Sequence, residues 1–126
     1  LAMAVVAAAG GMARAEDVPV ETAELGAAVV TLHVHPFLSE EELATLRLVL
    51  TNEQALSLFV PGKGGHAALA ASPEDGFIRD GAPVKSAVAI AEVADAEAAR
   101  QGALAGCETA KAGTEPCVVV LEVAPK

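Results

Sequence analysis

The sequence lacks tryptophan and tyrosine, and aromatic residues make up only 2% of it. A core without large rings has to be built mainly from Ala, Val and Leu, which pack tightly but bury little area each. The chain has 126 residues, the length of one domain. Because so small an aliphatic core gives little stability, a covalent cross-link would contribute a large share of it.

Basic residues are also scarce. The chain has 8 Lys and Arg against 17 Asp and Glu, and its net charge is −9. An acidic surface repels nucleic acid and anionic lipid, so we expect neither as a partner. The charge is compatible with an unknown protein partner but does not identify one.

Long apolar runs are absent apart from the first fifteen residues, LAMAVVAAAGGMARA. This run is short for a membrane span, ends in an A-x-A-like cleavage site at Ala15, and is followed by the charged segment EDVPVE. No basic segment precedes it, so we expect the chain to begin after the start of a signal peptide. We predict a signal peptide at 1–15, a single periplasmic or secreted domain at 16–126, and no membrane span after cleavage.

The N-terminal half contains one clear strand pattern and one clear helix start. EDVPVETAELG is predicted to be an extended lead-in, and GAAVVTLHVHPF alternates like a half-buried strand that ends at Pro36. Ser39 and Glu42 have the spacing of a capping box, which predicts a helix. Over residues 45–60 the leucine spacing fits both a helix and a strand, and the two remain open.

The C-terminal half alternates strands with one helix. HAALAASPEDG predicts a strand of small residues stopped by a turn at 72–76, and a second strand is predicted from Val84 to Val93. Asp95 is a good N-cap for a helix over about 96–110. CVVVLEV is apolar on nearly both faces, which predicts a central strand. Together these patterns predict an α+β fold with a small, mainly antiparallel sheet and helices packed on one face.

The only two cysteines lie at the junction of that helix and the last strand. Cys107 falls on the small, buried face of the helix, and Cys117 opens the strand. The connection contains Gly113 and Pro116, which can turn the chain back. A redox pair is normally closer, as in C-x-x-C, and two cysteines alone do not fill a zinc site. We therefore predict a structural disulfide, for which secretion supplies the oxidising compartment.

Three histidines are candidate metal ligands. His33 and His35 share one strand face, a spacing that can present two imidazoles to Zn²⁺ or Cu²⁺, and His66 could be a third ligand. The alternative is that the pair faces solvent on a half-exposed strand. We predict no metal and no cofactor, and keep the three histidines as candidates.

Other motifs that resemble catalytic sites have simpler explanations. Ser72 precedes Pro73 in a turn and lacks the G-x-S-x-G elbow of a hydrolase. The segment 62–65 is rich in glycine but lacks the spacing of a phosphate-binding loop. The acidic run Glu40–Glu42 is expected to be a solvated helix start. No set of nucleophile, base and orienting residue emerges, so we predict no catalytic residue.

The C-terminal half resembles a family of small secreted bacterial domains of unknown function. The family pattern is an A-x-A-x-S-P-x-x-G strand, an alanine-rich helix that ends in Cys, and a second Cys that leads a Val-rich strand. The matching residues, from residue 66 onward, are Ala68, Ala70, Ser72, Pro73, Gly76, Ala98, Ala99, Ala103, Leu104, Cys107 and Cys117 to Val120.

The resemblance implies a secreted domain without an assigned catalytic residue. Some similar proteins carry the name 5-aminolaevulinate synthase, but that chemistry needs a PLP-binding lysine in a large α/β fold. We therefore expect a non-enzymatic structural or interaction domain. The alternatives are a metal-binding module that uses His33 and His35, and a small enzyme, either a hydrolase or the synthase of that name.

Overall fold

The structure of the chain is a computed structural model that describes residues 18–59 and 65–126. The predicted signal peptide and its cleavage site at Ala15 lie outside these residues, as does the predicted glycine-rich loop except for Gly65. Within the two described ranges, no helix has both the length and the apolar character needed to cross a membrane.

Five strands form one antiparallel sheet. They are β1 (Val20–Leu25), β2 (Ala28–His33), β3 (His66–Ala71), β6 (Val88–Val93) and β7 (Val118–Pro125), and their order across the sheet is β1-β2-β7-β3-β6. Two further strands of two residues, β4 (Ile78–Arg79) and β5 (Ala82–Pro83), form a separate hairpin. The prediction of a central strand from CVVVLEV is confirmed, because β7 pairs with β2 on one side and β3 on the other.

Three helices complete the described fold. Helix α1 (Glu40–Thr51) begins with the predicted capping box, and α2 (Glu53–Phe59) follows after Asn52. The open question over residues 45–60 is thus resolved as helix up to residue 59. Helix α3 (Ala96–Ala110) has the predicted bounds, and its N-cap Asp95 accepts a hydrogen bond of 2.7 Å from the amide of Ala98.

The helices lie on both faces of the sheet, so the α+β class is confirmed but the expectation of helices on one face is wrong. Ala67, Leu69 and Ala71 of β3 belong to a core that includes α1 residues. The alternate residues Ala68 and Ala70 belong to a second core with α3. Successive side chains of a strand point to opposite faces. Because every residue from Ala67 to Ala71 is buried, both faces of β3 need a covering layer.

The two cores differ in the size of their side chains. The core under α1 holds the larger ones, including Leu46 and Phe77. The core under α3 is built from Ala, the two cysteines and a few partly buried aliphatic residues. This small layer lets α3 approach the sheet closely. A Cβ atom placed on Gly106 would lie only 2.8 Å from Cγ1 of Val88.

Two strands differ from their predicted extent. The lead-in contains β1, which pairs with β2 through a two-residue turn at Gly26, whose φ of 59° suits glycine. β1 is exposed at alternate positions, Val20, Thr22 and Glu24, because it is an edge strand with one face toward solvent. The strand predicted within 84–93 begins only at Val88, because the amide of Ala87 bonds to the carbonyl of Val84 in a turn.

Candidate functional site

Glu42 is a buried carboxylate that joins α1 to the chain segment after the 72–76 turn. Its side chain is 2% exposed, and its Oε1 accepts a hydrogen bond of 2.8 Å from the amide of Ser39. Its Oε2 accepts hydrogen bonds of 2.8 Å from the amides of both Phe77 and Ile78, and Arg79 donates to the same oxygen at 3.3 Å. The expectation that all of Glu40–Glu42 is solvated is wrong for Glu42, because its second oxygen binds residues 35 and 36 positions away.

The charge of Glu42 is retained despite its burial. Burial by itself would raise the pKa of this carboxyl. The hydrogen bonds from the amides of Ile78, Ser39 and Phe77 and the positive charge of Arg79 act in the opposite direction, and together they hold the pKa below its usual value of 4.5. Glu42 is therefore ionised at neutral pH and stabilises the segment that it binds.

Two acidic residues of the 72–76 turn bind the loop between the cysteines. Oδ2 of Asp75 accepts hydrogen bonds from the amide of Ala112 at 2.9 Å and the hydroxyl of Ser86 at 2.8 Å. Oε1 of Glu74 accepts from the amides of Thr114 and Glu115, the latter at 3.0 Å. The turn and the loop are thus joined by carboxylates that accept from main-chain amides.

A third carboxylate, Glu108, closes the other end of the same loop. Its Oε2 accepts a hydrogen bond of 2.7 Å from the amide of Cys117, and its Oε1 lies 2.7 Å from Nζ of Lys111. Nζ of Lys111 also donates to the carbonyl of Glu115 at 2.7 Å. The hydrogen bond from Lys111 and that from the amide of Cys117 hold the pKa of Glu108 below its usual value. We call Glu74, Asp75 and Glu108 the carboxylate clamp.

Asp75 of the carboxylate clamp is also held in its charged form. The hydrogen bonds from the amide of Ala112 and the hydroxyl of Ser86 lower its pKa below the usual 3.8. Hydrogen bonds to an ionised acceptor are stronger than those between neutral groups. Asp75 and Glu108 are therefore both ionised at neutral pH.

The predicted disulfide between Cys107 and Cys117 is confirmed. Their Cα atoms lie 6.2 Å apart, within the range that a disulfide spans, and both residues are buried. The bond joins the last turns of α3 to the start of β7, as predicted. Disulfides persist in oxidising environments outside the cytoplasm, and the bond fits such a location.

His33 belongs to a charged network on the α3 side of the sheet. Its Nε2 donates to Oε2 of Glu122 at 2.7 Å, since a carboxylate oxygen can only accept. Oε1 of Glu122 accepts from Arg100 of α3 at 3.1 Å, and Arg100 also donates to Glu97 at 2.6 Å. Neither Glu122 nor Arg100 was among the site residues predicted from the sequence. The available signal was a single charged residue inside the apolar strand VVVLEV, which requires a partner.

His35 and His66 lie in different surroundings. Nε2 of His35 donates to the carbonyl of Val119 at 2.9 Å, and its ring stacks on Phe37 at 5.6 Å. Burial lowers the pKa of His35, although the hydrogen bond to Val119 partly opposes this effect. His66 begins β3, and its Nδ1 is buried without a hydrogen-bond partner among the residues that the structure describes.

The three histidines do not form one metal site. The rings of His33 and His35 are 6.2 Å apart between centroids. In the part of the chain that the structure describes, no three His, Cys, Asp or Glu residues are grouped closely enough to hold a metal ion.

Ser72 has the role of a turn residue. It is fully buried, its hydroxyl accepts from the amide of Asp75 at 3.3 Å, and its carbonyl accepts from the amide of Gly76 at 2.8 Å. The turn ends at Gly76, whose φ of 80° is one that glycine adopts readily.

Replacing Glu42 with Gln should lower the free energy of unfolding by about 1–3 kcal/mol at pH 7, because buried amides lose their charged acceptor. The folded-state pKa of Glu42 lies below 4.5, so its stabilisation is present above pH 4.5 and is lost as the pH falls through the folded value. The difference between wild type and variant should therefore shrink below that pH. Urea denaturation at neutral and acidic pH measures both effects.

Glu41→Gln is the matched control for this test, because Glu41 is exposed in the same helical turn. We expect it to change stability by less than about 0.5 kcal/mol. Equal effects of the two substitutions, or a pH-independent effect of Glu42→Gln, would contradict the assigned role of Glu42.

Replacing both Cys107 and Cys117 with Ser should lower the free energy of unfolding by about 2–3 kcal/mol, the loop-closure value for so short a loop. The fold should persist, because the carboxylate clamp still holds the loop and Ala99 and Ala103 still pack on the sheet. Denaturation with and without reductant, together with circular dichroism, measures this. Free thiols in protein purified from the periplasm would refute the bond.

No family model matches the chain, and no significant match was found among curated proteins or among solved structures.

Proposed function

We propose that the chain is a non-enzymatic structural or interaction domain that works in the periplasm or outside the cell. The observation that carries this proposal is that the buried and loop-binding carboxylates of the chain are engaged in hydrogen bonds within the fold. The carboxylates of Glu42 and of the carboxylate clamp accept hydrogen bonds from main-chain amides. They also bind the side chains of Ser86, Arg79 and Lys111. These residues hold loops to α1, to α3 and to the 72–76 turn, a structural use of charge that supports a non-enzymatic role.

The loop between the two cysteines is held in place in two independent ways. The loop between the cysteines is closed by the disulfide at its ends and held by Glu74 and Asp75 along its length. Such redundancy gives a rigid surface, which lowers the entropic cost of binding another protein. The same redundancy suits the periplasm or the cell exterior, where no ATP-dependent chaperone helps a small domain to remain folded.

The proposed location has two supports. A buried disulfide between the only two cysteines is typical of proteins that fold in an oxidising compartment. The apolar start of the sequence and the A-x-A-like site at Ala15 have the features of a signal peptide. Both point to the periplasm or the cell exterior.

The full chain, secreted with a C-terminal affinity tag, should capture a protein from a periplasmic extract of the source cell, and the purified pair should bind each other directly. We also expect no hydrolysis of model esters and no spectral change with PLP. Ester hydrolysis that is lost in Ser72→Ala, or a Schiff base with PLP, would favour the enzyme alternatives. Thr109→Ala, an exposed change, serves as the control variant.

A metal-binding module is the second candidate, and one observation favours it. His33 and His35 both donate their Nε2 hydrogens, to Glu122 and to the carbonyl of Val119. In a neutral ring this leaves Nδ1 as the acceptor nitrogen. Metal-binding histidines are held in the same way, with the second ring nitrogen donating to a carboxylate or a carbonyl.

Because the described residues bring only His33 and His35 together, we expect Zn²⁺ or Cu²⁺ to bind no tighter than about 10 μM, roughly −7 kcal/mol, by calorimetry. Stoichiometric binding that is much tighter, and that disappears when His33 and His35 are both replaced with Ala, would favour the metal-binding module over the interaction domain. His66→Ala is the control and should leave any binding unchanged.

A further inference from the structure

A groove opens between the start of α1 and the segment that leads into β1. Its volume is about 440 Å³, within the range of pockets that bind ligands, about 300–1,000 Å³. It is lined by Val18 and Pro19 of the lead-in, by Leu38 and Leu43 at the start of α1, and by residues 34–36, which follow β2. We call it the α1 groove.

The lining of the α1 groove is almost entirely apolar. Four of the seven described lining residues are Val or Leu, two are Pro, and His35 is the only one with a polar side chain. Val34 and Leu43 are only partly buried by the fold itself. An aliphatic side chain placed in the groove would cover them further, whereas a polar group would lose its hydration there.

His35 adds no charge to the α1 groove at neutral pH. Its Nε2 donates to the carbonyl of Val119 at 2.9 Å, and burial lowers its pKa below the usual 6.5. The ring is therefore neutral at pH 7. A cationic group that approaches the groove meets no repulsion from it.

The unpaired charge beside the α1 groove is negative. Glu40 lies three positions before Leu43, and residues at this spacing are neighbours on a helix surface. Glu40 is exposed, and within the described part of the chain it has no ion-pair partner. Arg47, the basic residue of α1, lies four positions after Leu43, but its charge is paired with Glu21 at 2.8 Å. A cation next to the groove therefore finds a free carboxylate.

We propose that the α1 groove binds a segment of another protein in which aliphatic side chains are flanked by Lys or Arg. The aliphatic side chains enter the groove, and a basic one pairs with Glu40. Because the groove is open to solvent, it can receive side chains from a polypeptide that continues past it.

The charge of the whole chain favours this occupant over the alternatives. A net charge of −9 attracts a basic segment and repels both a second copy of the chain and an anionic lipid. The inference rests on the proposed role as an interaction domain, and it adds the surface that is used and the chemistry of the partner.

The first test uses the full chain and the acetylated peptide Gly-Lys-Leu-Val-Leu-Lys-Gly. Two matched peptides serve as controls, one with both Lys replaced by Glu and one with Leu-Val-Leu replaced by Ser-Thr-Ser. We expect the basic apolar peptide to bind with a dissociation constant below about 1 mM, and each control to bind at least about tenfold more weakly. Titration followed by amide NMR shifts should move the signals of Val34, Leu38 and Leu43 most.

Two pairs of variants test the surface. Leu43→Arg should raise the dissociation constant of the basic peptide at least about tenfold, because it puts a positive charge into the groove. Leu48→Arg is its control, since Leu48 is exposed on the same helix outside the groove lining, and it should change binding by less than about twofold.

The second pair changes only exposed residues, so that it does not depend on how well Leu43→Arg folds. Glu40→Lys should weaken binding of the basic peptide by about threefold or more. Glu41→Lys changes the net charge equally at the next position round the helix, where the side chain is also exposed, and should have a clearly smaller effect.

Several outcomes would overturn the proposal. They are no binding of the basic peptide up to about 1 mM, equal binding of the basic and acidic peptides, and equal effects of Leu43→Arg and Leu48→Arg. Groove signals that shift with the concentration of the chain alone would place a second copy there, and NMR contacts with residues 1–15 would place the chain's own N-terminal segment there. Either would overturn it.

The same variants separate this inference from the proposed function. A periplasmic protein that is captured equally by the wild type and by Leu43→Arg would overturn the assignment of the α1 groove and leave the interaction domain in place. Capture that Leu43→Arg abolishes, that Leu48→Arg retains and that the basic peptide competes away would support the assignment.

Discussion

The burial of β3 on both of its faces is the constraint on which the rest of the structure depends. No residue from Ala67 to Ala71 is more than 5% exposed, so a helix layer is needed on each side of the sheet. With alanine at four of these five positions, the covering helix α3 has to approach closely, and this explains Gly102 and Gly106 in a helix that they would otherwise weaken. The fold is therefore built around an interior strand of small residues, with a helix packed on each of its faces.

A core of small side chains explains why so many carboxylates accept hydrogen bonds from main-chain amides. Alanine and valine contribute less stabilisation on burial than larger side chains do. Hydrogen bonds from main-chain amides to ionised carboxylates are stronger than those between neutral groups, and they also satisfy loop amides that have no strand partner. Glu42 and the carboxylate clamp do both.

The sequence predicted the features that depend on neighbouring residues. The capping box at Ser39, the N-cap at Asp95 and the bounds of α3 follow from spacings of a few positions, and each is confirmed. The second oxygen of Glu42 and the contact of Asp75 with Ala112 reach 35 to 37 positions along the chain, which no local pattern reveals. Helices on both faces of the sheet could have been predicted from the sequence, because HAALAA is as continuously apolar as CVVVLEV.

The disulfide and the carboxylate clamp act on the same loop by different physical means. The disulfide chiefly restricts the unfolded chain, so that its contribution does not depend on the exact position of the loop. The clamp acts on the folded state alone, since Glu74 and Asp75 meet the loop only when the 72–76 turn and α3 are both in place. The bond keeps the ends of the loop together, and the carboxylates select one conformation for what lies between them. A loop fixed in this way belongs to the rigid part of the domain, although it contains no helix or strand.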